Sequence, residues 1–493
     1  MKKWPSIAFG VALVACSPDT TVDESSAAGP VTETNSEPSN SSDELALKSA
    51  IENGLTPSVV FAGDPTPTYS IEQRMEKFPT PAISIAYAKG GEIVWADTYG
   101  DGVDTDTMFQ AASMSKAVAS VGIAAYAEAN GISLDDDVDA LLPEISLREI
   151  SPDGAVISLR ALLSHTAGAT VGGFPGYAIG EPVPSNLEVV TGGENVNTPA
   201  VVFNPNPDAE FNYSGGGYQV AQAAIEAHSG QAFEITMANY VLTPSNMTAS
   251  TFVQKTPGTN EPGVAKAHDR AGSEIEGGWN VYPEHAAAGL WTTPSEYVNF
   301  VYTLMNPEDT DEGVAISSAV AAEVLTPVSD GYGLGIGIED IDGRTRWRHG
   351  GANRGYRSFF LAFPDTQEVF VMMTNSANGS TIGNEIIRSA GAIYGWPGND
   401  AKTVTRADLT EEALAKFVGA YALPNSSQPY ASLAVGDGVL VGTQTGGGEF
   451  TLVPLSESDF IDPDDGQEIT FSEEDGEMLL NAGGTILTRV AAD

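Results

Sequence analysis

Apolar and polar positions along the chain fall into patterns that predict most of its elements. Ser70, with Gln73 three residues on, forms a capping box, and Ile71, Met75 and Phe78 share one face of the helix it opens. Ala82–Ala88 and Glu92–Asp97 alternate as two strands joined at Lys89-Gly90-Gly91, which predicts a hairpin. Ser113–Asn130 is a helix rich in Ala and Val, stopped by Gly131. A second amphipathic helix follows Tyr213 and ends at Gly230. Residues 171–207 are dense in Gly, Pro and Asn with Phe174 and Tyr177 interspersed, and a loop of that length inside a compact domain tends to line a site. Thr345–His349, Ser358–Phe363 and Val369–Thr374 read as three successive strands at the antiparallel centre of a sheet. Strand pairs at both ends with helices between them predict an α+β domain over residues 43–400, its two ends meeting in one antiparallel sheet flanked by helices.

After Trp396-Pro397-Gly398 the texture changes. Short strands recur at Ser432–Val435, Val439–Thr443, Phe450–Pro454, Glu468–Phe471, Glu477–Leu480 and Thr485–Val490, separated by turns such as Gly436-Asp437-Gly438. Residues 405–493 are therefore expected to form a small all-β barrel or sandwich. That region contains no histidine and no nucleophile beside a base, so it is assigned no chemistry. No internal repeat is present.

The first residues differ from the rest. Lys2 and Lys3 precede an apolar run from Ile7 to Ala15, the length of a signal-peptide core and too short to span a bilayer. The run ends Leu13-Val14-Ala15-Cys16, and Cys16 is the one cysteine of the chain. This resembles the lipobox of bacterial lipoproteins, which implies a signal peptide over residues 1–16 and lipidation of Cys16. It also implies an exported protein anchored to the envelope membrane, on its periplasmic side or at the cell surface. Residues 17–42 carry Ser, Thr, Pro, Asn and acids with no Lys, Arg or aromatic residue, the composition of a disordered acidic tether. Such a coil spans about 30 Å. Without a second cysteine the fold relies on its core.

Acid dominates the composition, with 66 Asp+Glu against 22 Lys+Arg and a formal net charge of −44. A surface of that sign repels nucleic acid, and none is expected as a partner. The 42% hydrophobic content is that of a globular protein.

Candidate chemistry starts at Ser113-Met114-Ser115-Lys116. Serine and lysine three residues apart on a helix share a face. Serine attacks poorly until a base takes its proton, and lysine serves as one only where burial or another cation disfavours its charged form. A helix N-terminus favours negative charge developing on the serine oxygen. Two further segments join this one. Tyr213-Ser214-Gly215 places a tyrosine before a glycine run, and Trp347-Arg348-His349-Gly350-Gly351 ends a strand in two glycines, the local form of an edge that docks an extended substrate.

These three segments, in this order, resemble the active-site motifs of the penicillin-recognising serine hydrolases, in the branch of class C β-lactamases, related esterases and D-amino-acid-specific peptidases. Leu162–Gly168 and Ala287–Thr293 are similar to that branch as well. The resemblance runs from about residue 70 to 395 and implies a β-lactamase/transpeptidase-like fold acting through an acyl-enzyme on an ester, small amide or peptide, without cofactor or metal. It implies Ser113 as nucleophile, Lys116 and Tyr213 as proton carriers, and an oxyanion hole from the N–H groups of Ser113 and Ala352. Two positions depart from the pattern. Gly215 stands where the β-lactamases and D,D-peptidases usually carry Asn, and His349 stands where they carry Lys. Both changes remove groups that grip a penicillin or peptide, and esterases and D-aminopeptidases of the branch tolerate such changes. Ester hydrolysis is thus preferred, with a D,D-peptidase or D-aminopeptidase, or a non-catalytic binding protein of the same fold, as alternatives.

Five of the twelve arginines lie at 344, 346, 348, 354 and 357. On a strand the first three share a face opposite Thr345, Trp347 and His349, which predicts that they pair with acidic neighbours away from the site, the C-terminal domain being one candidate source. Arg354 is read as one half of a structural ion pair, with a contact to a substrate carboxylate as the alternative. His165 is assigned a structural hydrogen bond in its turn and His228 a capping contact. His268 and His285 have no assigned role, although the segment 286–289 that follows His285 is expected to border the site. No His-Glu-x-x-His spacing suggests zinc, and no Gly-x-Ser-x-Gly elbow suggests a Ser-His-Asp triad.

Overall fold

A computed structural model describes residues 41–490 apart from 148–155, 207–208, 260, 262, 309–315, 425, 427, 446–447 and 475. Cys16, the signal peptide and residues 17–40 of the expected tether lie outside the described residues. The last two residues of the range expected as a tether, 41–42, belong instead to a helix, Ser41–Glu52.

Six strands make one antiparallel sheet: β1 (Ala82–Lys89), β2 (Glu92–Gly100), β3 (Gly337–Ile341), β4 (Arg344–Asn353), β5 (Tyr356–Phe363) and β6 (Glu368–Thr374). Their order is β2-β1-β6-β5-β4-β3, so the two ends of the domain meet where Ile83 pairs with Thr374 and Lys89 with Glu368. Alternation across the pleat divides β1 and β6 between two cores. Ala82, Ala86, Ala88, Val369, Val371 and Met373 join the large core that holds the helix Ser115–Ala129. Ile83, Ile85, Tyr87, Phe370 and Met372 face a smaller core with Ile382 and Ile386 of the helix Gly379–Tyr394.

Several expectations change in detail. β3 was not expected, and it covers Arg344–Arg348 of β4, so the sequence from His349 onward is an edge only because pairing with β3 stops at Arg348. Arg346 and Arg348 find Glu339 on β3, and Arg344 finds Asp365 and Glu368, so all three arginines pair within the sheet and not with the C-terminal domain. The loop 171–207 contains a short helix, Asn186–Thr191, opened by a capping box of Ser185 and Glu188. The capping box at Ser70 is formed as expected.

The C-terminal strands close into an eight-stranded antiparallel barrel, with Gly419–Ala422 pairing Thr485–Val490 to shut it. Gly419–Ala422 and Asp459–Ile461 are the two strands the sequence reading lacked. Leu433, Leu440, Leu452, Phe460, Phe471, Leu480 and Leu487 fill its interior. Among the described residues no helix is long and apolar enough to cross a membrane.

Arg74 joins the parts. Its guanidinium is almost fully buried, donates from Nε to Glu385 Oε2 at 2.6 Å and from Nη2 to Asp464 Oδ1 at 2.8 Å, and lies between the rings of Tyr69 and Phe78. Glu385 belongs to the helix behind the sheet and Asp464 to the barrel. Removing one partner of a buried pair leaves a charge uncompensated, which costs about 3–5 kcal/mol. Arg74→Met is expected to destabilise by that amount in urea unfolding, and Arg74→Met with Glu385→Leu to recover part of it.

Candidate active site

Ser113 lies in a tight turn, Ala112–Met114, that runs directly into the helix Ser115–Ala129. Ala112 has φ of 50°, a left-handed conformation that costs a non-glycine residue roughly 1–2 kcal/mol. The surroundings hold it there. Ala111 N–H donates to Leu290 O at 2.9 Å, Ser358 Oγ donates to Ala111 O at 2.7 Å, and Leu290 N–H donates to Ser115 Oγ at 3.0 Å. Gly351 of β4 rests on the same turn, since a β-carbon there would lie 2.2 Å from Ala111 O. That glycine therefore serves the close approach of β4 to the serine turn.

Lys116 is buried at 2% exposure, and its Nζ donates to Ser113 Oγ at 3.1 Å and to Ala287 O at 2.8 Å. It lies 5.0 Å from the ring centre of Tyr213 and 5.6 Å from that of Tyr218, and none of these contacts is a carboxylate. The segment 286–289 thus borders the site, through a backbone carbonyl. Tyr213 is half-exposed and precedes the helix Gly215–Ser229, whose start is capped by Ser214 Oγ accepting from Gly217 N–H.

His165 fixes the backbone on both sides of Tyr213. Its carbonyl accepts from Asn212 N–H at 2.8 Å and its Nδ1 accepts from Ser214 N–H at 3.0 Å. Its ring packs 4.3 Å from that of Tyr213. Burial, followed by the positive charge of Lys116, pushes the pKa of His165 well below its usual value. His349 is held in the same neutral state. Its Nδ1 faces Gly350 O at 2.6 Å and must donate to it, so its Nε2 accepts from Tyr332 Oη at 3.0 Å. Burial and then Lys116 bring its pKa down to about 3. Both ring nitrogens of His349 are engaged, and the hydrogen bond of Ser113 Oγ is with Lys116.

The remaining histidines are elsewhere. His228 Nδ1 bonds Tyr126 Oη at 2.7 Å, which ties two helices together and corrects the expected capping contact. His268 faces Asn375 O, and His285 lies 3.6 Å from Glu234. At the end of β4, Ala352 is exposed, and Asn353 Nδ2 donates to Gln110 Oε1 and Ala288 O. The exposed side chain of Arg354 makes no ion pair among the described residues, and its N–H donates to Tyr282 Oη. Gly215 lies under the ring of Phe174. The sequence reading brought together Ser113, Lys116, Tyr213 and His349. It missed Tyr218, Tyr332 and Ala287 O, and it named Phe174 only as part of a loop. Among the described residues no group of three or more His, Cys, Asp or Glu is gathered as a metal site.

Known proteins share this fold and family. Solved structures share the fold: the octameric penicillin-binding protein homologue from Pyrococcus abyssi aligns with a TM-score of 0.55 at 20% identity, over 85% of this chain and 98% of that one. SurE aligns with a TM-score of 0.52 at 20% identity, over 85% of this chain and 97% of that one. In sequence, protein flp of Staphylococcus aureus (strain N315) is 25% identical over 329 residues, 62% of this chain. The chain spans 61% of the length of that relative. Penicillin-binding protein 4 of Amycolatopsis lactamdurans is 21% identical over 305 residues, 59% of this chain and 77% of that protein. The family model described as Beta-lactamase matches residues 70–392, well over half of the sequence. On that match the chain belongs to the Beta-lactamase family of serine hydrolases.

Proposed function

We propose that the protein hydrolyses carboxylic esters or small amides through an acyl-enzyme on Ser113. The observation that supports this most is the 3.1 Å contact of Lys116 Nζ with Ser113 Oγ, made by a buried lysine that pairs with no carboxylate among the described residues. In this reading Ser113 Oγ attacks the acyl carbon, and its proton passes through Lys116 and Tyr213 to the leaving group. The N–H groups of Ser113 and Ala352 receive the oxyanion, each donor contributing ~3 kcal/mol in the transition state. Water then attacks the acyl-enzyme, Tyr213 or Lys116 takes its proton, and Ser113 regains its own.

Esters are favoured because the site offers little to grip a peptide. Gly215 has no side chain, and His349 is neutral with both nitrogens engaged, so it presents no cation to a substrate carboxylate. The second reading, a D,D-peptidase or D-aminopeptidase, draws support from the part of β4 beyond Arg348, where β3 no longer pairs and an extended substrate has a free edge to bind. Arg354 would then meet a substrate carboxylate. A panel of p-nitrophenyl esters against D-alanyl amides separates the two. We further infer, from Cys16, that the protein is an exported lipoprotein of the bacterial envelope.

Ser113→Ala is expected to abolish labelling by a fluorophosphonate while the thermal unfolding curve is kept; labelling at the wild-type rate would place the nucleophile elsewhere. Tyr213→Phe is expected to lower kcat by ~10²–10⁴ with little change in KM, because the proton moves only in the transition state. A variant within threefold of wild type would remove Tyr213 from the proton path. Cys16→Ser is expected to move the protein from the membrane fraction to the soluble one after export, read by fractionation and blotting.

A further inference from the structure

The wall beside Tyr213 has a composition that acyl transfer by itself does not demand. Gly215 follows Tyr213 by two residues, and its N–H donates to Gly172 O at 3.3 Å, so Gly172-Gly173-Phe174 crosses directly over it. A β-carbon on Gly215 would lie 2.7 Å from Phe174 Cε2, which means the phenyl ring fills the space a side chain at 215 would enter. Positions 172, 173 and 215 present no side chain. Two backbone acceptors here already have donors, Gly172 O from Gly215 N–H and Val171 O from Gly216 N–H at 2.9 Å. Phe174 rests on the large core and keeps part of its ring exposed. A polar substrate group placed against the face of this ring would lose water and gain no hydrogen bond from the ring, whereas an apolar one would lose only water.

We propose that Phe174 is a specificity-determining residue of this site, and that the acyl group it contacts is apolar, alkyl or aryl. The inference rests on the serine-hydrolase reading and names its substrate class as esters of apolar carboxylic acids. Glycine at 215 is part of the device, because any β-carbon there would push the ring aside.

p-Nitrophenyl hexanoate and p-nitrophenyl acetate share a leaving group, so the ratio of their kcat/KM values reports on the acyl contact and is blind to partial loss of folded protein. That ratio is expected to fall about tenfold in Phe174→Ala and to stay within about threefold of wild type in Phe174→Leu. Gly215→Ala, whose new methyl displaces the ring, is expected to lower the ratio in the same direction. Calorimetric binding of hexanoyl and acetyl anilide to Ser113→Ala protein, with and without Phe174→Ala, reads the same preference with no turnover. Ratios unchanged in both Phe174→Ala and Gly215→Ala would overturn the proposal even if esters are hydrolysed. If the wild type turns over no ester, the ester reading fails by itself, and the ratio of dissociation constants still decides the role of Phe174.

Discussion

The arrangement around Ser113 follows from burying Lys116 where, among the described residues, no carboxylate pairs with it. An amino group taken out of water needs its hydrogen bonds and electrostatic partners replaced, and a single acid would have supplied both at once. Here the replacement is distributed over Ser113 Oγ, Ala287 O and the faces of Tyr213 and Tyr218. A neutralising acid would tie the lysine into a static ion pair, whereas these partners leave the serine oxygen as one of its hydrogen-bond acceptors. The same choice constrains the neighbours. His165 and His349 lie close enough to feel the charge of Lys116, and burial already disfavours their own, so both remain neutral and serve as fixed hydrogen-bonding frames. His165 thereby holds the chain around Tyr213, and Tyr332 in turn orients His349.

Placing such a lysine beside its serine takes a rigid turn, and that rigidity comes from the sheet. The left-handed Ala112 survives because β5 reaches it through Ser358, the strand pair of Phe109–Gln110 with Trp291–Thr292 sets the chain before it, and β4 presses on it at Gly351. β4 is thus doing two things along its length. Its first half is an interior strand, paired with β3 and braced by Arg346 and Arg348 on Glu339. Its second half packs on the serine turn from one side and leaves an edge open on the other.

What the sequence disclosed was whatever has a local cause. The Ser70 capping box, the alternation of β1 and the serine-to-lysine spacing each depend on residues within a few positions of one another, and they are where the pattern puts them. Contacts between distant segments left weaker traces. Tyr332 sits in the glycine-rich run before β3, which has neither a helical nor an alternating period, and its partner His349 lies across a hairpin. Ala287 contributes a carbonyl, to which its side chain gives no clue. The loop 171–207 was legible as a site wall, but the identity of Phe174 as the residue over Gly215 depends on how that loop folds back. The arginines of β4 were given their face and acidic partners, but which acids was not legible, because β3 is short and Glu339 has no periodic signature.

Charge scarcity gives the barrel its place. In a chain with three acids to every base, each cation is an expensive choice of location, and Arg74 and Lys77 both converge on Asp464 of the barrel. Lys77 is half-exposed and screened by salt, so most of the fixing falls to buried Arg74, which also holds Glu385 behind the sheet. A second contact, Arg270 Nη1 to Gln444 Oε1 at 3.0 Å, reaches toward the β4–β5 turn, where Arg270 and Arg357 are electrostatic neighbours. Among the described residues no barrel side chain bonds Ser113, Lys116 or Tyr213. The barrel therefore bears on the catalytic domain through position: through Asp464 and Arg74 it clamps the helix behind the sheet.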